Sequence, residues 1–201
     1  MHFSFLAVVG VALGSLLLTG CVKEVPLVSK TSVTTNVTLE EQWAWMEEEL
    51  DRSTAGSGVP DGWYKHFESQ QVPWDADPAN RKIIIKSLLP RGCGMGGQLV
   101  ELLLNDDVSD PFGVAERMRT FWESEGWTVT DIYPEPNPDE VYFRADREDG
   151  AGLSFRASER GLALMVLTSC SVNNTVTHWE DYLGVPNTFQ DELEIREQED
   201  E

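Results

Sequence analysis

The residues with the clearest chemistry stand at the end of the first apolar segment of the chain. Leu18, Thr19 and Gly20 come directly before Cys21, after an apolar stretch that runs from Phe3 to Leu18. This order is typical of a bacterial lipobox, where the leader is removed and the thiol of the new N-terminal cysteine carries a diacylglycerol. Two acyl chains anchor a protein stably, whereas one chain binds a membrane only marginally. The sequence therefore predicts a signal peptide over residues 1–20 and lipid attachment at Cys21.

The leader also allows a second interpretation. Its apolar stretch of about 16 residues suits a signal peptide, because a helix that spans a bilayer needs about 20. Met1 and His2 supply no Lys or Arg, although signal peptides usually begin with a basic segment. A start codon upstream of Met1 would supply that segment. The alternative is an uncleaved membrane anchor in which the cysteine is coincidental.

The formal net charge of the chain is -20 at pH 7. A surface this acidic repels anionic lipid headgroups, so a lipid group and not electrostatic adhesion has to hold the protein at a membrane. Nucleic acid is not expected as a partner for the same reason. Solubility is the simplest role of the charge, while basic peptides, polyamines and divalent ions are the partners that it would attract.

Two cysteines, Cys93 and Cys170, follow the lipobox. In an exported chain they most simply form one disulfide. A reactive thiol and a shared metal are the alternatives, but neither cysteine stands in a CxxC or CxxH sequence. The sequence therefore favours a Cys93–Cys170 disulfide, which would close a long loop and stabilise the fold by roughly 4–5 kcal/mol.

The segment after the lipobox predicts how the anchor joins the domain. Residues 21–37 are rich in Val, Ser and Thr and show no helical period, which is typical of a flexible tether. Thr38 and Glu41 then form a capping box, and apolar residues at helical spacing predict a helix to about Asp51. The small and polar residues from Ser53 to Gly58 are expected to end it.

Farther along the chain, strand and helix patterns alternate. Residues 78–89 fit a short helix and a buried strand equally well, and Leu99–Leu104 predicts a strand. Asp110 and Pro111 open the clearest helix, which Gly126 ends. Short strands are predicted after it at Trp127–Tyr133, Glu140–Ala145, Leu153–Ser158 and Leu162–Cys170.

This order predicts an α+β fold in a single domain over residues 38–185. After the N-terminal helix, a strand and a helix lead into these strands, the last of which form a three-strand meander, and together they make a small, mostly antiparallel sheet with helices on one face. A right-handed crossover through the Asp110 helix sets the first two strands parallel. Residues 186–201 are dominated by carboxylates and predict a disordered acidic tail.

The order of these features along the chain also matches a known family. The lipobox is followed by a cysteine ahead of the first strand, the Asp110–Glu125 helix, the meander, and a closing cysteine within Thr168-Ser169-Cys170. In this respect the chain resembles the LppA-like lipoproteins of mycobacteria and related actinobacteria, over roughly residues 90–171 and the leader. The resemblance implies a cell-surface lipoprotein of undefined activity and supplies no catalytic residues.

Motifs of catalysis and metal binding are incomplete in this sequence. The Gly92–Gly97 segment lacks the GxxxxGK[ST] pattern of a phosphate loop and is better explained as a turn. Asp75–Asp77 and Asn105–Asp107 lack the glycine and terminal glutamate of a calcium loop. His66 and His178 stand in no metal-ligand spacing, and the chain has no GxSxG sequence. The sequence therefore predicts no metal and no cofactor.

Aromatic side chains concentrate in the N-terminal part of the predicted domain, where a helix and irregular segments must cover the sheet. Core packing explains most of them. Trp45 is the exception, because it lies off the apolar stripe formed by Leu39, Trp43 and Met46. A groove open to a lipid, glycan or peptide is the alternative, and the candidate ligand or partner surface comprises Trp45, Trp63, Tyr64 and Trp74.

These patterns favour a non-catalytic binding or accessory module, lipid-anchored at the extracytoplasmic face of the cell membrane. Its partner would be an envelope protein, a peptide or a lipid, and no enzyme activity is expected. One alternative is a hydrolase that acts on envelope material through an acid pair, Asp75 with Asp77 or Glu47 with Glu48. A surface coat or spacer protein is another.

Overall fold

The computed structural model describes residues 34–67, 69–75, 77–133 and 135–185. The predicted signal peptide with its lipobox, Cys21 and the acidic tail lie outside these residues. The described part of the chain is a mixed α+β fold with five helices and two mostly antiparallel sheets. None of its helices has the length and apolar character that crossing a membrane requires.

Local sequence signals set where the helices begin. The Thr38 hydroxyl accepts a hydrogen bond from the Glu41 amide at 3.2 Å, and the Glu41 carboxylate accepts one from the Thr38 amide at 2.7 Å, so the predicted capping box is confirmed. Asp110 caps the third helix through the Gly113 amide at 3.0 Å, also as predicted. The helices are α1 Leu39–Gly56, α2 Pro78–Lys86, α3 Pro111–Ser124, α4 Asn174–Thr177 and α5 Trp179–Leu183.

The end of α1 differs from the prediction, because the helix continues past Asp51 to Gly56. Ser53 is buried, and its hydroxyl accepts a hydrogen bond from the Trp122 indole of α3 at 3.2 Å. Gly56 lies against the Phe121 ring, with which a Cβ at this position would collide. Packing against α3 therefore overrides the weak helix propensity of these residues.

Residues 78–89, whose pattern fitted both a helix and a strand, begin with a helix. Asp77 caps α2 through a main-chain amide of the first turn, and Pro78 occupies that turn. Ile84 and Ile85 are buried. A short helix that buries Ile84 and Ile85 and leaves Ile83 exposed thus explains the run that also resembled a strand.

A seven-stranded sheet, the large sheet, forms the centre of the fold. Its strands are β2 Tyr64–Phe67, β3 Gln70–Pro73, β6 Val100–Asn105, β7 Thr128–Asp131, β8 Glu140–Asp146, β9 Gly152–Ser158 and β10 Gly161–Leu167. Their order is β3-β2-β6-β10-β9-β8-β7, with antiparallel pairing throughout. The sheet is larger than predicted, because the β2–β3 hairpin joins it where Tyr64 pairs with Leu104.

The connection through α3 spans most of the large sheet. α3 joins β6 to β7, and three strands lie between them in the sheet. Four successive antiparallel pairings separate the two strands, so they run in the same direction without pairing with each other. β6 pairs instead with β10, where Leu103 lies opposite Leu164.

A four-stranded sheet, the small sheet, gathers the two cysteines and the start of the domain. Its strands are β1 Thr34–Thr35, β4 Arg91–Cys93, β5 Gly96–Gln98 and β11 Cys170–Ser171, in the order β1-β11-β5-β4. β1 runs parallel to β11, and the Ser171 hydroxyl donates to the Val37 carbonyl at 2.6 Å. Residues 34–37 therefore pack against the small sheet, ahead of the boundary predicted between tether and domain at residue 38.

The predicted disulfide is confirmed. Cys93 and Cys170 are bonded, with 5.9 Å between their Cα atoms and 77 residues of sequence separation. The bond joins β4 to β11 within the small sheet. A Cβ at Gly96 would collide with the Ser171 carbonyl, so a glycine is required where the β4–β5 hairpin approaches β11.

The main core lies between the large sheet and the two long helices. Leu162, Leu164 and Val166 of β10 are buried, whereas the residues between them are half-buried, as expected for alternating strand faces. Trp122 of α3 packs edge-on against two phenylalanines of the sheet. The distances between ring centroids are 5.6 Å to Phe143 and 6.2 Å to Phe155.

We expect removal of the disulfide to destabilise the domain. A Cys93→Ala/Cys170→Ala variant should lose about 2–5 kcal/mol of unfolding free energy, because the unfolded chain regains the freedom of a long loop. Urea denaturation under non-reducing conditions measures the difference. As a control, a reductant should bring the wild-type protein to the same stability and leave the variant unchanged. Equal stability of the two proteins without reductant would contradict the prediction.

Candidate functional site

Three of the four predicted aromatic residues line one surface depression. It lies at the β2–β3 hairpin and the loop that leads into β2, and its volume is about 320 Å³. We call it the aromatic depression and define it by Asp61, Trp63, Tyr64, Pro73, Trp74 and Asp75. The hairpin brings residues on both sides of its turn together, since Tyr64 pairs with Pro73 across the two strands.

The two tryptophans of the aromatic depression are held mostly within the core. Only 1 % of Trp63 and 3 % of Trp74 is exposed. The Trp63 indole donates to the Val59 carbonyl at 2.6 Å, and the Trp74 indole donates to Asp51 Oδ1 at 3.2 Å. Trp63 and Trp74 are therefore core residues, and packing against the sheet and α1 buries all but the part of each that lines the depression.

Tyr64 lines the aromatic depression, and a hydrogen bond fixes its hydroxyl group. Its Oη donates a hydrogen bond to Asp106 Oδ2. This bond, together with burial and the negative charge of Asp106, raises the pKa of Tyr64 to about 12. The phenol therefore stays protonated near neutral pH, and its proton is used in the hydrogen bond to Asp106. The His66 ring packs edge-on against the Tyr64 ring, with 5.2 Å between the ring centroids.

Trp45 does not belong to this site. Its side chain is partly buried and packs against the core, and the Arg147 guanidinium lies 5.7 Å from its ring centroid. It lines no part of the aromatic depression. The position off the apolar stripe of α1, which suggested a ligand contact, is explained by packing against the turn between β8 and β9.

The acid pairs considered for hydrolysis have other roles. Asp75 accepts hydrogen bonds from the Asp77 amide at 2.8 Å and the Asn80 side chain at 3.1 Å, and Asp77 caps α2. Glu47 lies 3.9 Å from Arg81, whereas Glu48 is exposed on α1. Adjacent residues of a helix point in different directions, so Glu47 and Glu48 do not converge on one substrate atom.

A serine and a lysine also meet, at the inner side of β2. Lys65 Nζ lies 3.1 Å from Ser87 Oγ and 2.7 Å from Glu101 Oε2. A lysine that activates a serine must be free to accept its proton, whereas the Lys65 amine is engaged in an ion pair with the buried Glu101 carboxylate. Burial raises the pKa of Glu101, and the bond to Lys65 opposes that effect. The cluster is therefore a buried ion pair rather than a nucleophile with its base.

The described part of the chain contains no assembled set of metal ligands. No three His, Cys, Asp or Glu side chains there are grouped to hold an ion. Asn105, one of the residues considered for calcium, is buried and donates to the Asp61 carbonyl at 2.9 Å. It fixes the loop at one side of the aromatic depression. The Gly92–Gly97 segment forms the β4–β5 hairpin.

Asp61 is a charged lining residue that the sequence patterns did not single out. The Asp61-Gly62 dipeptide is a turn signal, and Gly62 has a φ of 83°, which favours glycine. Its position next to Trp63 could have linked the turn to the aromatic cluster. What the sequence lacks is the contact with Asn105, which comes from a distant strand.

Another open depression, of about 420 Å³, lies between α1 and α2. Three of its charged lining groups, Glu47, Arg81 and Lys86, already have partners within the protein. Arg81 lies 2.5 Å from an Asp51 oxygen and 3.9 Å from Glu47, and Lys86 Nζ lies 3.6 Å from the Trp43 ring centroid. The aromatic depression is the better candidate, because three of the aromatic residues that the sequence singled out line it, whereas none lines this second depression.

A buried carboxyl on α1 predicts a pH dependence of stability. Glu49 is 1 % exposed, and burial raises its pKa, while Arg52, Ser53 and Arg147 oppose the rise. Its contribution to stability is therefore full below the unfolded-state pKa, near 4.5, and is lost as the pH rises through the higher folded-state pKa. A Glu49→Gln variant should equal the wild-type protein near pH 4 and exceed its stability near pH 7.

Urea denaturation of both proteins across this pH range measures the difference. The matched control is Glu48→Gln on the exposed side of the same helix, which should show a pH-independent difference of at most about 0.5 kcal/mol from the wild-type protein. A Glu49→Gln variant that is less stable than the wild-type protein by the same amount at every pH would contradict the prediction.

Comparison with solved structures finds a distant similarity. The chain is similar to a DUF4853 family protein from Actinomyces odontolyticus ATCC 17982, with a TM-score of 0.45 and 14% sequence identity over 71% of this chain and 75% of that chain. No family model matches the sequence, and no curated protein matches it.

Proposed function

We propose that this protein is a lipid-anchored lipoprotein of the cell envelope, of the LppA-like kind, and serves as a non-catalytic binding or accessory module. Its place is the extracytoplasmic face of the cell membrane, with the diacylglycerol on Cys21 as the membrane contact. The observation that carries the proposal is the Leu18-Thr19-Gly20-Cys21 sequence directly after the apolar leader. The Cys93–Cys170 disulfide supports it, because such bonds persist in oxidising compartments outside the cytoplasm.

The position of β1 refines the attachment. The first described strand, β1, begins at Thr34, which lies 13 chain steps from Cys21 (34 minus 21). Fully extended, this length reaches about 45 Å, which is the upper limit for the distance between the lipid and the domain. The acidic domain would therefore stay close to the membrane while its charge keeps it from adhering to anionic headgroups.

The binding role is assigned to the aromatic depression. In this proposal the helices cover one face of the large sheet and leave the depression and the other face accessible to a partner. Leu102, which is 40 % exposed on β6, supports the accessibility of that face. Buried tryptophans beside the depression supply a rigid wall, and rigid walls lower the entropic cost of binding.

Metabolic labelling with palmitate tests the anchor. The wild-type protein should incorporate label, and Cys21→Ser should lose all of it and keep the unprocessed leader, because no thiol accepts the diacylglycerol. The matched control is Cys93→Ser/Cys170→Ser, which removes the other two cysteines and should keep the label. Retention of label by Cys21→Ser, or an unlabelled wild-type protein that stays in the membrane fraction with its leader, would contradict the proposal.

A further inference from the structure

We infer that the small-sheet end of the domain, which comprises the small sheet, the tip of the β4–β5 hairpin and Val172, rests on the lipid bilayer that carries the anchor. Met95, at the hairpin tip, inserts among the lipids. The inference rests on the proposed lipoprotein role and adds a second membrane contact to the diacylglycerol on Cys21. It follows from the exposure of Met95, from the distribution of charge along the chain and from the place where the tether enters the domain.

The tip of the β4–β5 hairpin exposes a large apolar side chain. Met95 is 89 % exposed, whereas no other large apolar side chain in the described residues is more than 50 % exposed. A Cβ at Gly92 or Gly94 would touch no described atom within 4 Å, so the hairpin projects from the body of the domain. A methionine is flexible and apolar, and it adapts to an irregular surface such as the boundary between headgroups and acyl chains.

A second apolar side chain lies at the same end. Ser171 pairs with Gly97 in antiparallel strands, so Val172 lies opposite Gly96, the residue that follows Met95. Val172 is 39 % exposed. The two side chains give this end an apolar surface, which is a feature of membrane contacts when polar residues surround it.

The small-sheet end also lacks the acidity of the rest of the chain. The chain contains 35 Asp and Glu residues, but none occurs from Pro78 to Val100 or from Gly161 to Trp179. These two segments supply three of the four strands of the small sheet, and Arg91 is the one charged residue in the four strands. Repulsion between the domain and anionic headgroups is therefore weak at this end.

Carboxylates beside the small sheet restrict which part of it can approach a bilayer. Helices cover one face of the sheet, where the Gln42 side chain donates to the Gly97 carbonyl at 3.2 Å and Val176 lies against Gly97. Glu40 and Glu41 are exposed at the start of the same helix as Gln42. Their charge opposes the approach of the helix-covered face to anionic lipids, so the hairpin tip leads.

The tether enters the domain close to this surface. β1 and β5 pair with opposite edges of β11. Neighbouring strands lie about 4.8 Å apart, so the chain from Cys21 enters about 10 Å from β5. The tether keeps Met95 near the bilayer, and the resulting high effective concentration lets a contact form that would be too weak to hold a free protein.

This contact turns the aromatic depression away from the membrane. β6 begins beside the small sheet and ends at Asn105, whose side chain donates to the Asp61 carbonyl of the depression at 2.9 Å. Gly96 and Asn105 are nine residues apart (105 minus 96), which is about 30 Å of extended chain. The domain therefore presents its candidate binding site on the side opposite the bilayer.

NMR of the isotope-labelled lipidated protein in phosphatidylcholine nanodiscs tests the contact. The probes are the methionine and valine methyl groups, and the bilayer contains a lipid with a nitroxide label. The nitroxide should remove most of the methyl intensity of Met95 and Val172. It should leave the intensity of Val141, which the strand register places at the level of Asn105.

A charge at the hairpin tip should release the domain from the bilayer. In Met95→Glu most of the Val172 intensity should return, because insertion of a carboxylate among lipids is costly. The matched control is Ile132→Glu, which adds the same charge at a 38 % exposed residue near the opposite end of the large sheet, where the Ile132 amide donates to the Tyr142 carbonyl at 3.0 Å. This variant should leave Met95 and Val172 attenuated.

Full methyl intensity of Met95 and Val172 beside the nitroxide lipid would overturn the inference, because the hairpin tip would then lie away from the bilayer. Equal loss at Val141 would overturn it too, since the domain would have no preferred orientation. Unchanged attenuation of Val172 in Met95→Glu would overturn the role of Met95. Mass spectrometry of the same sample detects the diacylglycerol on Cys21. Its absence would contradict the proposed function and the contact together, whereas a lipidated protein without attenuation contradicts the contact alone.

Discussion

The packing of Trp122 is the interaction on which the rest of the structure depends. Its ring lies edge-on against Phe143 and Phe155 of the large sheet, and its indole donates to Ser53 of α1. One buried side chain thus joins the sheet to both long helices. Phe155 in turn packs against Trp63, with 6.3 Å between ring centroids, so the wall of the aromatic depression is an extension of the core. Rigid placement of a ligand site by a packed core is a general route to specificity.

The small sheet receives the chain that leads from the predicted anchor. β1 pairs with β11, which is bonded through Cys170 to Cys93 in β4. The main chain of residues 36 and 37 accepts hydrogen bonds from the side chains of Asn173 and Ser171. The chain that enters the domain is therefore held by the disulfide-linked small sheet.

Sequence predicted the parts of this arrangement that local chemistry determines. The Thr38 capping box and the Asp110 cap act within three residues, and the disulfide follows from the pairing of two cysteines in a chain predicted to be exported. The end of α1 and the placement of the β2–β3 hairpin depend on contacts with distant residues, so local patterns could not supply them. The same holds for the candidate site: composition identified its aromatic residues, but only the fold shows that Trp63 and Trp74 are buried.

The acidity of the chain bears on the proposed anchor. A net charge of -20 repels anionic headgroups, so in the proposed function the lipid on Cys21 has to hold the protein at the membrane. The most direct test of the central claim is mass spectrometry of the N-terminal peptide from protein isolated from native membranes. The account predicts a peptide that begins at Cys21 and carries the mass of a diacylglycerol. A peptide in which residues 1–20 remain attached, or an unmodified Cys21, would contradict it.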